Sequence, residues 1–349
     1  MSVAINGTNG ITFNDGSLQP SAIGKNLIIN GDMRIAQRGT SFSASTSTFY
    51  LLDRFLYINV DSPDSVYTIT QDTDAPSGFA NSLKVDVATA DASLDASDGT
   101  QIEHRIEGQN LQQLAFGTSD AKSLTLSFWV KSNKTGTYVA RLLQPDASSR
   151  MISQAYTISS ANTWEKKTIT VSGDTSGVIN DDNGSGLQIT WWLSAGTDYQ
   201  SGSMPTDWQS YSNGDSAVGQ VNLADSTSNY LNITGVQLEV NTTATPFEHL
   251  QYGQQIALCM RYFEAGTARL YGSSDGSSNI VHEETFKVQK RATPTMTNTS
   301  WGYARSGAGG SVSPINYDTN INQHSRYASI GAGFVVGYFA GSWTASSEL

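Results

Sequence analysis

The sequence predicts a mainly β protein: an antiparallel jelly-roll sandwich, one connecting helix and a small C-terminal β domain. Apolar and polar residues alternate in many short runs, and a period of two is typical of strands with one buried face. Clusters of Gly, Asn, Asp and Ser separate the runs, as turns do in all-β domains. With 349 residues the chain is long for one domain, so we expect two or three.

The clearest strand is predicted over residues 123–130, SLTLSFWV, which places the aliphatic residues and Phe128 on one face and Trp129 on the other. Adjacent Trp191 and Trp192 fall on opposite faces of their strand, so at most one of them is expected in the core. The same alternation predicts further strands over residues 82–87, 137–142, 167–171, 187–193 and 230–240.

Changes in this pattern divide the chain into an N-terminal arm (1–24), the jelly roll (25–246), the connecting helix (247–265) and a C-terminal β tip (266–349). The arm holds too few apolar residues to bury a core, so we expect it to dock on a partner. The helix is predicted between Pro246 and Gly266, which suit a helix start and stop. Its spacing places four residues on the buried face: Tyr252, Ile256, Cys259 and Phe263.

Composition excludes several functions. The 20 Lys and Arg against 31 Asp and Glu give a net charge of −11, without the cationic cluster that a nucleic-acid ligand needs. The apolar runs fall short of the roughly 20 residues of a membrane span, and the N-terminus lacks a signal-peptide pattern, so we expect synthesis in a cytoplasm and no membrane insertion. Cys259 is the single cysteine, which excludes an intrachain disulfide and a cysteine-based zinc site.

No catalytic constellation emerges, and the chain is therefore predicted not to be an enzyme. Residues 272–276, GSSDG, match the spacing of a nucleophile elbow, but a turn and a strand flank them where a strand and a helix are needed. The four histidines lack metal-ligand spacing, and nothing aims two carboxylates at each other across a groove.

Aromatic residues carry the remaining signal. The chain has 7 Trp and 15 Tyr among many hydroxyl and amide side chains. An exposed aromatic ring stacks on the apolar face of a sugar while neighbouring amides and hydroxyls bind its hydroxyl groups. Packing of these rings under loops is the alternative.

Two blocks of sequence resemble tail-fibre and receptor-binding proteins of tailed bacteriophages: KNLIINGDMRIAQRG (25–39), and GVQLEV (235–240) with the following ATPFE (244–248). Looser matches are LDRF (52–55), where the family often has Trp in place of Phe55, CMRYF (259–263), RATPT (291–295) and GITFNDGS (10–17) of the arm. The jelly roll is similar in pattern to carbohydrate-binding modules.

The resemblance implies a structural virion protein, made in the host cytoplasm and displayed outside the cell on the phage particle. It implies a parallel homotrimer whose arm attaches to another virion tail protein and whose distal parts contact a bacterial surface glycan. The predicted contact residues are Trp301, Tyr303, Tyr317, His324, Arg326 and Tyr327 in the tip, and Trp192 in the jelly roll.

The sequence requires no cofactor. Related modules hold a structural calcium between their first and last strands, and the resemblance implies Asn30, Asp32 and Glu239 as candidate ligands by position alone. An unoccupied Asx turn is the alternative at Asn30 and Asp32.

Three other functions stay open. A ligand-free connector or capsid-decorating fibre would adhere to no host polysaccharide. A depolymerase would release reducing ends, although the chain lacks β-helix repeats. A binding module detached from a cellular glycosidase would be monomeric and exported.

Overall fold

A computed structural model describes the backbone outside residues 1–3, 7–9, 13–17, 20–23, 45–47, 62–63, 147, 273–278, 307–315 and 330–335. Side chains are described for the same residues apart from 4–6, 10–12, 18–19, 268–272, 279–282, 298–306, 316–318, 326–329 and 336–340. The chain divides into two compact units, Met1–Leu250 and Gln251–Leu349. The predicted mainly antiparallel β fold with one helix is confirmed.

The described strands of the first unit alternate with turns and four short 3-10 helices, at Gly108–Asn110, Gln112–Leu114, Thr197–Tyr199 and Leu223–Asp225. The strands are β1 (Ala4–Asn6), β2 (Gly10–Thr12), β3 (Leu18–Gln19), β4 (Ser41–Ala44), β5 (Phe49–Tyr50), β6 (Phe55–Val60), β7 (Val66–Asp72), β8 (Ser82–Thr89), β9 (Gly99–Glu107), β10 (Leu124–Ser132), β11 (Gly136–Gln144), β12 (Arg150–Ile158), β13 (Glu165–Val171), β14 (Ser185–Ala195), β15 (Gln209–Ser210) and β16 (Tyr230–Val240).

Two large antiparallel sheets form a sandwich. One has six strands in the order β13-β10-β16-β8-β7-β4, and the other has seven in the order β15-β12-β11-β14-β9-β6-β5. Their inner faces share one hydrophobic core, in which the Phe128 ring of the first sheet lies 5.0 Å from Tyr156 and 5.9 Å from Trp191 of the second. In the arm, β1, β2 and β3 form a separate three-stranded sheet.

The apolar residues that alternate in the sequence are the ones that face the core, and this alternation is interrupted once, in β16. Leu231 and Ile233 face the core, and after a β-bulge Val236 and Leu238 do so. Gly235 occupies the bulge at a φ of +61°, and a Cβ there would lie 2.7 Å from the Phe79 ring. Glycine is required at this point because both the backbone angle and the space exclude a side chain.

Trp192 departs from the expectation that only one of the paired tryptophans is buried. The two side chains do point to opposite faces, Trp191 into the main core and Trp192 to the outer face of the seven-stranded sheet. Trp192 is nevertheless fully buried, because residues 196–222 fold over that face and pack Tyr199 and Ala217 against it. The expectation failed because a distant segment covers Trp192, and the alternation within a strand carries no information about such a segment.

The second unit contains the helix α1 (Tyr252–Met260) and two three-stranded antiparallel sheets, β17-β22-β19 and β18-β21-β20. Its strands are β17 (Phe263–Gly272), β18 (Asn279–Thr285), β19 (Thr295–Ser306), β20 (Asn316–Thr319), β21 (Gln323–Ser329) and β22 (Val336–Ser346). Its described hydrophobic core is small: Phe286, Trp343 and Ala345, with Met296 packed against them.

The helix is shorter than predicted, and its buried face matches the prediction at Cys259 but not at Tyr252. It begins at Tyr252, where Gln251 and Gln254 form a reciprocal capping box, and Phe263 already lies in β17. Tyr252 was expected on the buried face but is 52% exposed, whereas Gln255 and Cys259 are buried. Glu248 does not start the helix because its carboxylate accepts hydrogen bonds from the backbone N–H groups of Gly24 and Asn26.

A buried ion pair stabilises the second unit. Lys290 Nζ donates to Glu264 Oε2 at 2.6 Å and to the Met260 carbonyl at the end of α1, and both charged side chains are almost fully buried. Burial lowers the pKa of Lys290, and the Glu264 carboxylate opposes that shift. Removing one member of such a pair leaves the other charge buried and alone.

We therefore expect Lys290→Met to destabilise the second unit by about 3–5 kcal/mol, measured by hydrogen exchange of the α1 amides. Lys287→Met is the matched control, because the Lys287 side chain is 62% exposed although it also lies near Glu264; it should cost under about 1 kcal/mol. Equal effects of the two variants would contradict the buried-pair account. Glu264→Leu with Lys290→Met should cost less than Lys290→Met alone.

His104 is a buried, neutral histidine in the core of the first unit. Its Nε2 accepts a hydrogen bond from the Ile29 N–H at 3.3 Å, and its ring packs edge-on against Phe55. Burial, and secondarily the Arg54 guanidinium, hold the pKa of His104 well below its ordinary value of 6.5. The folded state therefore stays unprotonated at pH values where the unfolded chain takes up a proton.

The first unit should consequently lose stability as pH falls below about 6.5, by up to about 1.4 kcal/mol per pH unit from this group. His104→Gln retains an acceptor for Ile29 and should flatten the decline between pH 6.5 and 5, followed by urea unfolding at each pH. His249→Gln is the control because His249 is exposed. An unchanged slope in His104→Gln would contradict the assignment.

Candidate functional site

The predicted contact residues of the tip lie on two different sheets. Trp301 and Tyr303 are on β19, whereas Tyr317 on β20 stands directly opposite Arg326 on β21, beside Tyr327. The side chains of these five residues lie outside the described residues, so their contact with a glycan stays a prediction.

For the other two predicted contact residues, His324 and Trp192, the structure corrects the expectation of an exposed side chain. His324 is fully buried between the rings of Phe286 and Trp343, with ring centroids 5.1 and 4.6 Å away. Trp192 is fully buried under residues 196–222. Neither side chain presents a ring face on which a sugar could stack.

The three predicted calcium ligands each bind protein groups. The Asn30 side chain donates to the carbonyls of Ile35 and Asp53 and accepts from the Ile35 N–H, so both of its N–H donors are used. Glu239 accepts from the Thr245 N–H and hydroxyl at 2.8 and 2.7 Å, and Asp32 lies 3.8 Å from Arg34. Within the described ranges, no group of three or more His, Cys, Asp or Glu side chains could hold a metal ion.

A row of polar residues crosses the outer face of the seven-stranded sheet. Backbone register aligns Glu103 of β9 with Thr190 of β14, Thr190 with Arg141 of β11, and Arg141 with Ser153 of β12. We call these four residues the polar row. All four are buried, although they point away from the main core.

Hydrogen bonds connect the polar row. Arg105 Nε donates to Glu103 Oε1 at 2.6 Å, the Thr190 hydroxyl donates to Glu103 Oε2 at 3.1 Å, and Arg141 Nη2 donates to the Thr190 hydroxyl at 3.3 Å. The chain of contacts holds Glu103 in place and leaves Arg141 at its far end. These groups sit on central strands, so their positions are fixed by the sheet.

Residues 196–222 enclose Arg141 from outside the sheet. The Ser216 hydroxyl accepts from Arg141 Nη1 at 3.5 Å, and the Ser216 carbonyl accepts from the Ser153 hydroxyl at 3.1 Å. The guanidinium carbon lies 5.5 Å from the centre of the Trp192 ring and 5.7 Å from that of Tyr211. Arg141 is thus flanked by one buried and one exposed aromatic ring, both at cation–π distance.

Tyr211 is the exposed member of this arrangement. Its surface is 40% accessible, its hydroxyl donates to Asn213 at 2.6 Å, and its N–H donates to the Ser149 carbonyl. Next to the polar row on the same face, Arg105 of β9 pairs with Gln188 of β14, which pairs with Leu143 of β11. All three are half-buried. We call Glu103, Arg105, Arg141, Gln188 and Tyr211 the outer-face site.

Sequence reasoning did not find this site. The alternation over residues 137–142 does place Arg141 on the outer face of its strand, and this placement is the only part of the site that the sequence indicates. Its neighbours Glu103 and Tyr211 lie 38 positions before it and 70 after it in the numbering, so only strand pairing brings the three together. Tyr211 lies in a segment without periodicity and gave no signal.

The second unit contains a cavity of about 600 Å³. Its lining contains three hydroxyl side chains, two charged side chains, one tryptophan and two small residues. In chain order the lining residues are Ala265, Gly266, Thr267, Glu284, Lys287, Ser342, Trp343 and Thr344. Trp343 is itself 1% exposed, so the cavity offers polar groups and little aromatic surface. It is a second candidate location for a ligand.

Across the part of the chain that the structure describes, no helix is long and apolar enough to cross a membrane.

Comparison with known proteins gives structural similarities only. No protein-family model matches the chain, and no curated protein matches it. A putative sugar-binding protein from Bacteroides thetaiotaomicron is 13% identical and matches 62% of this chain and 100% of its own, with a TM-score of 0.34. The N-terminal cellulose-binding domain of Cellulomonas fimi β-1,4-glucanase C is 12% identical, over 64% of this chain and 99% of its own, with a TM-score of 0.31.

The enzymatically active domain of tailspike protein 4 from bacteriophage CBA120 is also similar. It is 14% identical over 62% of this chain, with a TM-score of 0.32, and the match spans 21% of the tailspike chain.

The two aromatic residues beside Arg141 should differ in what they do for folding. Trp192→Ala removes a fully buried ring and should destabilise the first unit by about 3–5 kcal/mol. Tyr211→Ala removes an exposed ring and should cost less than about 1 kcal/mol. Urea unfolding measures both, and a stable Trp192→Ala variant would show that residues 196–222 do not cover the sheet as described.

Proposed function

We propose that this chain is a non-catalytic structural protein of a phage tail fibre or similar appendage, which attaches to the host surface through glycans. We place the glycan on the outer-face site of the first unit. The observation that carries this proposal is the exposed ring of Tyr211, held over Arg141 beside hydrogen-bonding side chains on a rigid sheet.

The chemistry of the outer-face site suits a sugar. One face of the Tyr211 ring is backed by the Arg141 guanidinium, which leaves the opposite face for stacking on the apolar side of a pyranose. Gln188 and Arg105 are half-buried and lie one register row away, where an amide and a guanidinium can bind hydroxyl groups. Few polar groups fixed by strands, together with one aromatic platform, are typical of a small-molecule site.

The wider assignment rests on the sequence blocks that resemble phage fibres. We propose a homotrimer in a virion, with residues 1–24 attached to another tail protein. Each trimer would then present three copies of the outer-face site, and weak contacts would combine into strong attachment through effective concentration. A ligand-free connector is the competing function, and binding experiments separate the two.

Full-length protein should bind extracted polysaccharide of a susceptible host, and Tyr211→Ala should weaken that binding at least about tenfold, measured by biolayer interferometry. Loss of a stacking ring worth about 1.4 kcal/mol accounts for a tenfold change. The matched control is Tyr252→Ala, because Tyr252 is also an exposed tyrosine, 52% accessible, but lies on α1 of the other unit. Its binding should equal that of the unmodified chain.

Two outcomes would overturn the placement or the function. Binding that is insensitive to Tyr211→Ala but lost in Lys287→Ala would move the site to the cavity of the second unit, which Lys287 lines. Absence of binding to polysaccharide from every host that the particle infects would favour the connector.

A further inference from the structure

Arg141 is a buried cation that no carboxylate neutralises directly. Its residue is 5% exposed, and among the described side chains none of the ion pairs within 4.0 Å involves it. Taking a guanidinium out of water costs several kcal/mol unless an anion and a full set of hydrogen bonds compensate. The structure supplies neither around this residue.

Most hydrogen-bonding capacity of Arg141 is unused. A guanidinium has five N–H donors, and Arg141 donates two long bonds, at 3.3 Å to Thr190 and 3.5 Å to Ser216. Its Nε is buried and has no partner. Both acceptors are neutral hydroxyl groups, so the bonds do not offset the charge.

The carboxylate of the outer-face site is already engaged by other groups. Glu103 is the acid nearest along the polar row, but it already accepts from Arg105 at 2.6 Å and reaches Arg141 only through the Thr190 hydroxyl. The outer-face site therefore holds two guanidinium groups and one carboxylate.

Tyr211 forms an exposed side of the enclosure, and its side-chain hydrogen bond is local. The hydrogen bond of its hydroxyl is to Asn213, only two residues along the chain. Its ring can therefore turn about χ1 without breaking a side-chain bond to another strand. Such a turn would uncover the guanidinium, while the backbone bond to Ser149 would keep the residue in place.

We propose that the outer-face site binds an acidic sugar, with the carboxylate of a uronic-acid or sialic-acid residue on Arg141. The planar carboxylate takes two of the unused N–H donors in a bidentate pair, which is the geometry a guanidinium favours. The Tyr211 ring shifts about χ1 to admit the carboxylate and stacks on the sugar ring with the face that points away from Arg141 in the unbound chain. The inference rests on the proposed glycan-binding function and specifies the class of glycan.

The test compares acidic sugars with neutral forms of the same sugars. Full-length protein is titrated in 150 mM NaCl with trigalacturonate and its methyl ester, with sialyllactose and lactose, and with bacterial uronate-containing polysaccharides before and after reduction of their carboxyl groups. We expect at least one acidic member to bind about tenfold or more tightly than its neutral partner. Arg141→Met should reduce that preference to within about twofold.

Two controls separate recognition from folding and from general charge. Lys84→Met removes one positive charge on the other sheet, where Lys84 pairs with Asp86, and should leave the preference unchanged. Arg141→Met should melt at or above the temperature of the unmodified chain, because it removes an uncompensated buried charge and keeps an apolar side chain. A melting temperature lower by more than about 5 °C would show that Arg141 is structural and would overturn the proposal.

The two failures are distinguishable. Equal binding of acidic and neutral partners, unchanged by Arg141→Met, would overturn the acidic-sugar proposal and leave glycan binding standing. Absence of binding to every member of the panel and to host polysaccharide would overturn both.

Discussion

The first unit depends on hydrogen bonds between the segment that enters the sandwich and the segment that leaves it. The Glu248 carboxylate accepts from the N–H groups of Gly24 and Asn26, and the Asn26 side chain donates to the Val236 carbonyl and accepts from the Leu238 N–H. These contacts span more than 200 positions of sequence and close the sheet containing β16. These contacts, most of them part-buried, tie the segment that enters the sandwich to β16 and to the segment that follows it.

This closure also accounts for the sequence blocks that resemble phage fibres. Residues 25–39 and 235–248 contain Asn26, Asn30 and Glu248, whose side chains bind backbone groups of the same unit. These three side chains therefore have an architectural role in the first unit. The outer-face site that we propose for a glycan lies elsewhere, on the other sheet.

Two buried cations differ in how the structure compensates their charge. Lys290 and Arg141 are both buried, but Lys290 donates at 2.6 Å to the buried Glu264 and to a helix carbonyl, which makes its charge part of the packing. Arg141 meets two hydroxyl groups and two aromatic rings instead. A buried charge without a partner is costly to the fold, so a ligand that supplies the missing anion has a large interaction to gain.

The sequence by itself determined the strands and the class of fold, because the period of two is a local property: the runs at 123–130 and 187–193 lie in β10 and β14. It also indicated the helix but not its start, since Glu248 is held by Gly24 and Asn26 from the opposite end of the unit. Only the tertiary structure decided that Trp192 is covered by residues 196–222, that Tyr211 lies beside Arg141, and that Thr190 links Arg141 to Glu103. Burial and proximity within a sheet depend on pairing between distant strands, and no local period carries that information.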